Sequence, residues 1–148
     1  MQKLFNKSLS RRLDPKGRLM LPAEYREALF TDNEAGAFWL TAYNGCLVAY
    51  LPHIWEEITE RLNSIPLPSL KLFHFKAKFV GLGQELVPDI QGRVLIPQSL
   101  MREVGLQKDV MLVGLNSNFQ IWDQNSFDDL VQEDVSDELA NAGVSIAL

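Results

Sequence analysis

Asp14-Pro15-Lys16-Gly17-Arg18-Leu19-Met20-Leu21-Pro22 returns 75 positions later as Asp89-Ile90-Gln91-Gly92-Arg93-Val94-Leu95-Ile96-Pro97. Both copies read Asp-x-x-Gly-Arg, three apolar residues, then Pro, and each part has a mechanical reason for its place. An aspartate at the first corner of a tight turn accepts from backbone N–H groups ahead of it, and Pro15 presets φ at the second corner. Gly17 and Gly92 supply a fourth position at positive φ, from which a bulge leads into the next strand. The three apolar residues suit a short buried strand. The proline then stops that strand and opens a helix at its first position, where a missing N–H costs nothing. On this reading Arg18 and Arg93 stand at hairpin tips as cations held out on stiff mounts.

The likeness runs past the prolines. Phe38 to Tyr50 matches Val110 to Trp122 at a shift of 72, the three-residue change falling in the loop Thr31 to Gly36. Both stretches read as hairpins, strongly at Asn44-Gly45 and more weakly at Asn116-Ser117-Asn118. A helix start with an aromatic residue follows each, Trp55 in one and Phe127 in the other. The chain is thus a tandem duplication of a module of about 45 residues: strand, turn, strand, helix, hairpin, helix.

Around this frame, Lys7 to Leu13 reads as a strand that places at least one of Arg11 and Arg12 on the face opposite its leucines. Pro22 to Phe30 and Pro97 to Val104 read as short helices, the first with Tyr25, Ala28 and Leu29 on one stripe, the second capped by Gly105. Pro52 to Leu62 is a helix with Ile54, Trp55, Ile58 and Leu62 inward. A second helix is expected from about Pro68 to Val80, with Leu72, Phe75 and Phe79 in line and a basic set of Lys71, Lys76 and Lys78 beside His74. Gly81 to Pro88 reads as loop and strand start. A last helix is expected from Gln124 to Leu130 with Phe127, Leu130 and Val131 on its stripe, and then an acidic, finally small and apolar tail that extends the helix or frays, with partial disorder at its end.

Composition narrows the function. A chain of 148 residues can bury one sizeable core or two small modules sharing one. No apolar run approaches the roughly 18 residues of a membrane span, and no signal-like run opens the chain, so the expected location is cytoplasmic. The single cysteine, Cys46, reads as a small core hydrophobe. Net charge is −5, yet Met1 to Arg26 carries seven bases against two acids, while Asp109 to Leu148 carries eight acids and no Lys or Arg. Such polarity steers a polyanion to one end. His53 and His74 are isolated, there is no zinc-type Cys/His spacing, and Gly-x-Ser-x-Gly is absent; Asp14 and Asp89, busy in their turns, should have lowered pKa values, the wrong direction for a general acid. The expectation is a non-enzyme without cofactor, metal or small-molecule substrate.

Leu13 to Arg26, Leu-Asp-x-Lys-Gly-Arg-Leu-x-Leu-Pro-x-x-Tyr-Arg, resembles the MraZ family of bacterial regulators, and Asp89 to Pro97 with Gly105-Leu106, Val110 to Gly114 and Ile121-Trp122 looks like that family's second repeat. The resemblance covers Phe5 to about Leu130. It implies an α+β fold, a pseudo-dimer of two β-rich SpoVT-AbrB-type repeats with short flanking helices: repeat 1 over 8–55, linking helices over 56–83, repeat 2 over 84–127, and an acidic segment over 128–148. It also implies a ring-shaped homo-oligomer, a nucleoid-associated location, and control, usually repression, of the operon for division and wall synthesis through short direct repeats of double-stranded DNA in the protein's own promoter region. DNA contact in the family lies in Asp-x-x-x-Arg motifs, which map here to Asp14 with Arg18 and Asp89 with Arg93.

The residues themselves support the same partner. One loop with one or two cations binds DNA weakly, whereas a ring of such loops gains by effective concentration. Arg18 is the candidate reader of guanine edges, the alternative for it being an ion pair with Asp14 of its own turn. Lys16, Arg11 and Arg12 suit phosphate contacts. Gly17 and Gly92 hold the loops, and the second loop, with Ile90-Gln91 for Pro15-Lys16, offers one cation fewer, so the first repeat should dominate. The rival classes are an oligomeric scaffold without a nucleic-acid partner, using the aromatic helix and acidic tail, and an antitoxin-like regulator, against which the double copy argues.

Overall fold

A computed structural model describes residues 4–66 and 69–146. The elements run β1 (Ser8–Arg12), β2 (Arg18–Met20), α1 (Ala23–Asp32), β3 (Phe38–Tyr43), β4 (Cys46–Tyr50), α2 (Pro52–Ser64), α3 (Leu70–Gly81), β5 (Gln84–Leu86), β6 (Arg93–Leu95), α4 (Gln98–Val104), β7 (Asp109–Gly114), β8 (Asn118–Asp123), α5 (Gln124–Asp128) and α6 (Ser136–Asn141). The fold is α+β, as expected. Asn44 at φ 51° and Gly45 at φ 85° close the first hairpin in the left-handed region its sequence calls for. Pro22 and Pro97 sit one residue earlier than expected, as N-caps: their carbonyls accept from Arg26 N and Met101 N at 3.0 and 3.1 Å.

The duplicated modules interlock. Six antiparallel strands form one sheet in the order β1-β7-β8-β4-β3-β5, and β2 pairs with β6 in a separate two-stranded ribbon. The first strand of each module therefore pairs with the hairpin of the other: β1 lies on β7, and β5 on β3. Two pairings join equivalent positions. Leu19 faces Val94, 75 positions on, and Val48 faces Gln120, 72 positions on. In an antiparallel ladder such self-equivalent pairs mark a local two-fold axis, which passes through the ribbon and the centre of the sheet.

Alternation along the strands decides the layers. Phe38 and Leu40 point to the main core with Leu112, Phe119 and Ile121, joined by Leu19, Leu21, Val94 and Ile96 from the ribbon segments and by Tyr25, Leu29 and Leu100 from α1 and α4. Phe5, Tyr25, Phe38 and Phe119 pack ring to ring at its centre, with Phe119 touching the other three. Trp39 and Tyr43 take the other face, where Trp39 stacks on Trp55 of α2, and Tyr43 meets Phe75 and Phe79 of α3 edge-on. Thr41, fully buried between them, donates to the carbonyl of Phe79.

Several expectations are corrected. Leu19-Met20-Leu21 and Val94-Leu95-Ile96 are not wholly buried runs: a two-stranded ribbon has one face on the core, so Met20 and Leu95 are 42% and 59% exposed while their neighbours are buried. The last helix of the second module stops at Asp128, and Leu130 and Val131 are exposed, because the core offers no surface beyond that point. A separate α6 follows without a buried residue. The aromatic helix opens with Ser69 as its cap, its side chain accepting from Leu72 N; the expected start at Pro68, like the expected disorder at residues 147–148, lies outside the described residues.

Candidate nucleic-acid interface

The two turns are built alike. In the first, Gly17 N donates to the carbonyl of Asp14 at 2.9 Å, and Asp14 N donates to the carbonyl of Arg18 at 3.0 Å, with Gly17 at φ 83°. Asp14 Oδ1 accepts from Lys16 N and Arg18 N, both at 2.9 Å. The second turn repeats this: Gly92 N to Asp89 O at 2.9 Å, Asp89 N to Arg93 O at 2.8 Å, Gly92 at φ 83°, and Asp89 Oδ1 accepting from Gln91 N and Arg93 N. A non-glycine residue at this φ would be strained, which explains the glycine in both copies.

The arginines are not held out freely. Arg18 Nε donates to Asp14 Oδ2 at 2.6 Å, and Arg93 Nε to Asp89 Oδ2 at 3.2 Å. The expectation of a bare cation at the tip is corrected here, because the aspartate's second oxygen remains available once the first has taken the backbone amides. The Arg18 N–H holds the Asp14 carboxyl below its ordinary pKa, against the opposing effect of burial and with the Arg18 guanidinium reinforcing it. Asp89 is lowered in the same way, first by the N–H of Arg93. Pairing through Nε fixes the guanidinium plane while Nη1 and Nη2 form the end-on fork used in bidentate contacts.

Register places both arginines on one surface. Arg18 lies opposite Leu95, and Met20 opposite Arg93. Residues two apart in a strand share a face, as do directly paired residues, so Arg18, Met20, Arg93 and Leu95 all face away from the core that takes Leu19 and Val94. The two Asp-Arg pairs and the two apolar side chains alternate across this outer face about the local two-fold axis.

The other candidates divide. Lys16 is exposed at the first turn. Arg11 is half-buried on β1 opposite Val110, its Nη1 donating to the carbonyl of Ser10. Arg12 points to the opposite, exposed face and meets Asp109 of β7 at 3.3 Å. The basic start and acidic end of the chain therefore touch where β1 joins β7, and the expected separation of charge is incomplete at this strand pair. Lys78 of the basic helix pairs with Glu103 at 2.7 Å.

Sequence reading missed one residue under the second turn. A Cβ placed on buried Gly92 would lie 2.5 Å from Cδ of Arg26, so this glycine admits the arginine stem as well as supplying positive φ. Arg26 Nε is buried there without a hydrogen-bond partner among the described residues. Its equivalent at the shift of 75 is Met101, whose Sδ would lie 3.5 Å from a Cβ on Gly17. Aligning the two copies exposes this pair; only the interlocked fold shows that each helix supports the other copy's turn.

Among the described residues no group of His, Cys, Asp and Glu is placed to hold a metal, and no helix is long and apolar enough to cross a membrane. Cys46 is buried, and burial pushes its thiol up to about 11, which leaves little thiolate at neutral pH.

The family model described as "MraZ protein, putative antitoxin-like" matches residues 4–70 and 80–143. The Transcriptional regulator MraZ of Nitratidesulfovibrio vulgaris strain Hildenborough is 44% identical over 144 residues, covering 95% of this chain and 97% of that protein. The protein of the same name from Oleidesulfovibrio alaskensis is 41% identical, covering 93% and 95%. That from Nitrosomonas europaea is 34% identical, covering 84% of each.

Proposed function

We propose that this chain, which belongs to the MraZ family, is a sequence-specific DNA-binding regulator of transcription. Its relatives carry the name transcriptional regulator. The observation that carries the DNA reading is the outer face of the β2–β6 ribbon, which Arg18 and Arg93 share on a diagonal, each opposite an apolar side chain and each with a carboxylate on its Nε. A two-stranded ribbon fits the major groove, and an arginine fork matches O6 and N7 of guanine. Lys16, Gly17 and Gly92 complete the loops: the lysine approaches phosphate, and the glycines let the backbone make the turn. Arg11 supplies a further phosphate contact beside the turn, and Arg12 does so by exchanging Asp109 for phosphate.

One ribbon neutralises few phosphates, so useful affinity requires several subunits. A homo-oligomeric ring presenting one ribbon per subunit to short direct repeats meets that need through effective concentration. The target is the promoter region of the protein's own operon, with genes for division and wall synthesis, and the effect is repression, exerted in the cytoplasm at the nucleoid. The protein does no covalent chemistry in this role. Arg18→Ala tests the assignment: the variant should fold and assemble as the parent does, yet fail to retard its own upstream DNA in a mobility-shift assay. Undiminished retardation would remove Arg18 from the interface.

A further inference from the structure

We infer that Met20 and Leu95 are specificity-determining residues that read thymine methyl groups beside the guanines read by Arg93 and Arg18. This rests on the DNA reading above and deepens it. The observation is the exposure of two large apolar side chains on a surface that the fold had every means to make polar. Met20 and Leu95 occupy equivalent ends of β2 and β6, both are well exposed, and each lies directly across the ribbon from an arginine. Neither supports the core, which takes Leu19 and Val94 instead.

Spacing suits stacked bases. Residues two apart along a strand are separated by about 6.6–6.8 Å, close to two base steps of about 3.4 Å, and cross-strand partners stand about 5 Å apart. A ribbon laid in the major groove thus meets guanidinium and apolar groups in alternation. The floor of that groove carries one apolar group, the C5-methyl of thymine. A cytosine there offers only a C5–H and loses the methyl contact, and a purine places polar N7 and O6 or N6 against Met20 or Leu95 without a partner.

Coverage of these two residues by another protein subunit is disfavoured by their neighbours. The same face carries Arg18, Asp14, Arg93 and Asp89, and a protein cover would desolvate two ion pairs to bury two side chains. A phosphate-lined groove instead accepts the arginines.

The test works on an operator whose bases are undefined. The protein's own upstream fragment is amplified with dTTP or with dUTP, which removes every thymine methyl, and both copies are titrated with the full-length parent and with Met20→Ala/Leu95→Ala at a salt concentration low enough for all to bind. The parent should prefer the thymine copy by about fourfold for each methyl lost against an apolar side chain. The double variant should bind the two copies alike, which separates the methyl contact from any change in DNA shape caused by uracil. Equal binding of both copies by the parent, or an undiminished preference in the variant, overturns the inference while leaving DNA binding intact. Should the double variant fail to fold, Met20→Gln and Leu95→Gln singly take its place, each expected to lose part of the preference. Binding of neither copy by the parent would overturn the DNA reading itself.

Discussion

Replacing Asp14 by asparagine separates the turn from the orientation of its arginine. Asp14 Oδ1 accepts two backbone amides, and an asparagine carbonyl oxygen can accept the same two. Oδ2, which takes Arg18 Nε at 2.6 Å, becomes an NH2 group facing an N–H donor. Asp14→Asn should therefore keep the hairpin and release the guanidinium. An arginine side chain freed of its partner must be ordered again on binding, at a loss of up to about thirty-fold in the guanine-specific part of the affinity for each subunit engaged. The substitution also removes a negative charge near the polyanion, which at about 10 Å in salt favours all DNA by less than about twofold. The two effects have opposite signs and different targets: specific binding falls, while binding to scrambled DNA rises slightly. Anisotropy titrations with the upstream fragment and a scrambled duplex, under one salt condition, read both. An Asp14→Asn protein with native circular dichroism and a specific-to-scrambled ratio within threefold of the parent would refute the view that the aspartate aims the arginine.

The carboxyl of Asp14 should titrate below its ordinary value in a carbon-detected NMR titration, and Arg18→Ala should restore only part of the shift, since the Arg18 backbone N–H is its first cause. Because the folded value is the depressed one, the turn's contribution to stability is present above about pH 4 and is lost as pH falls through the lower folded value. Gly17→Ala should destabilise the fold by about 1–2 kcal/mol in urea titrations at fixed protein concentration, the cost of a Cβ at φ 83°. Gly92→Ala should in addition expel the Arg26 side chain, visible as loss of a protected Arg Nε proton signal; a retained signal would contradict the packing of Arg26 under that turn.

The turn chemistry could be read directly from residues because it is local. Asp, Gly and the positive-φ requirement lie within five positions, and Asn44-Gly45 defines its hairpin in two. Tyr25, Ala28 and Leu29 likewise announce the buried face of α1, and all three are buried. Pairing between modules could not be read. The alternation in β1 and β5 tells which side chains share a face, but both strands are short and carry no mark that names β7 or β3 as the partner. The same gap hid the exposure of Met20 and Leu95, since three consecutive apolar residues look alike whether a strand is covered on one face or two. Arg18 was visible as a candidate, yet its hydrogen bond to Asp14 depends on how a second carboxylate oxygen is used, which residue spacing does not decide. In sequence Arg26 is one more base of the N-terminal end, whereas its contact with Gly92 exists only because the modules interlock.

The claim on which the account turns is that the outer face of the β2–β6 ribbon reads guanines from the major groove. Dimethyl sulfate interference on the upstream fragment tests it at single bases, since methylation at guanine N7 blocks the major-groove edge and methylation at adenine N3 blocks the minor groove. The account predicts that N7-methylated guanines are excluded from the bound fraction, and that Arg18→Ala, assayed at reduced salt, loses that exclusion at the guanines Arg18 reads while keeping it at those read by Arg93. Binding indifferent to guanine N7 but blocked by adenine N3 methylation would place the protein in the other groove and contradict it.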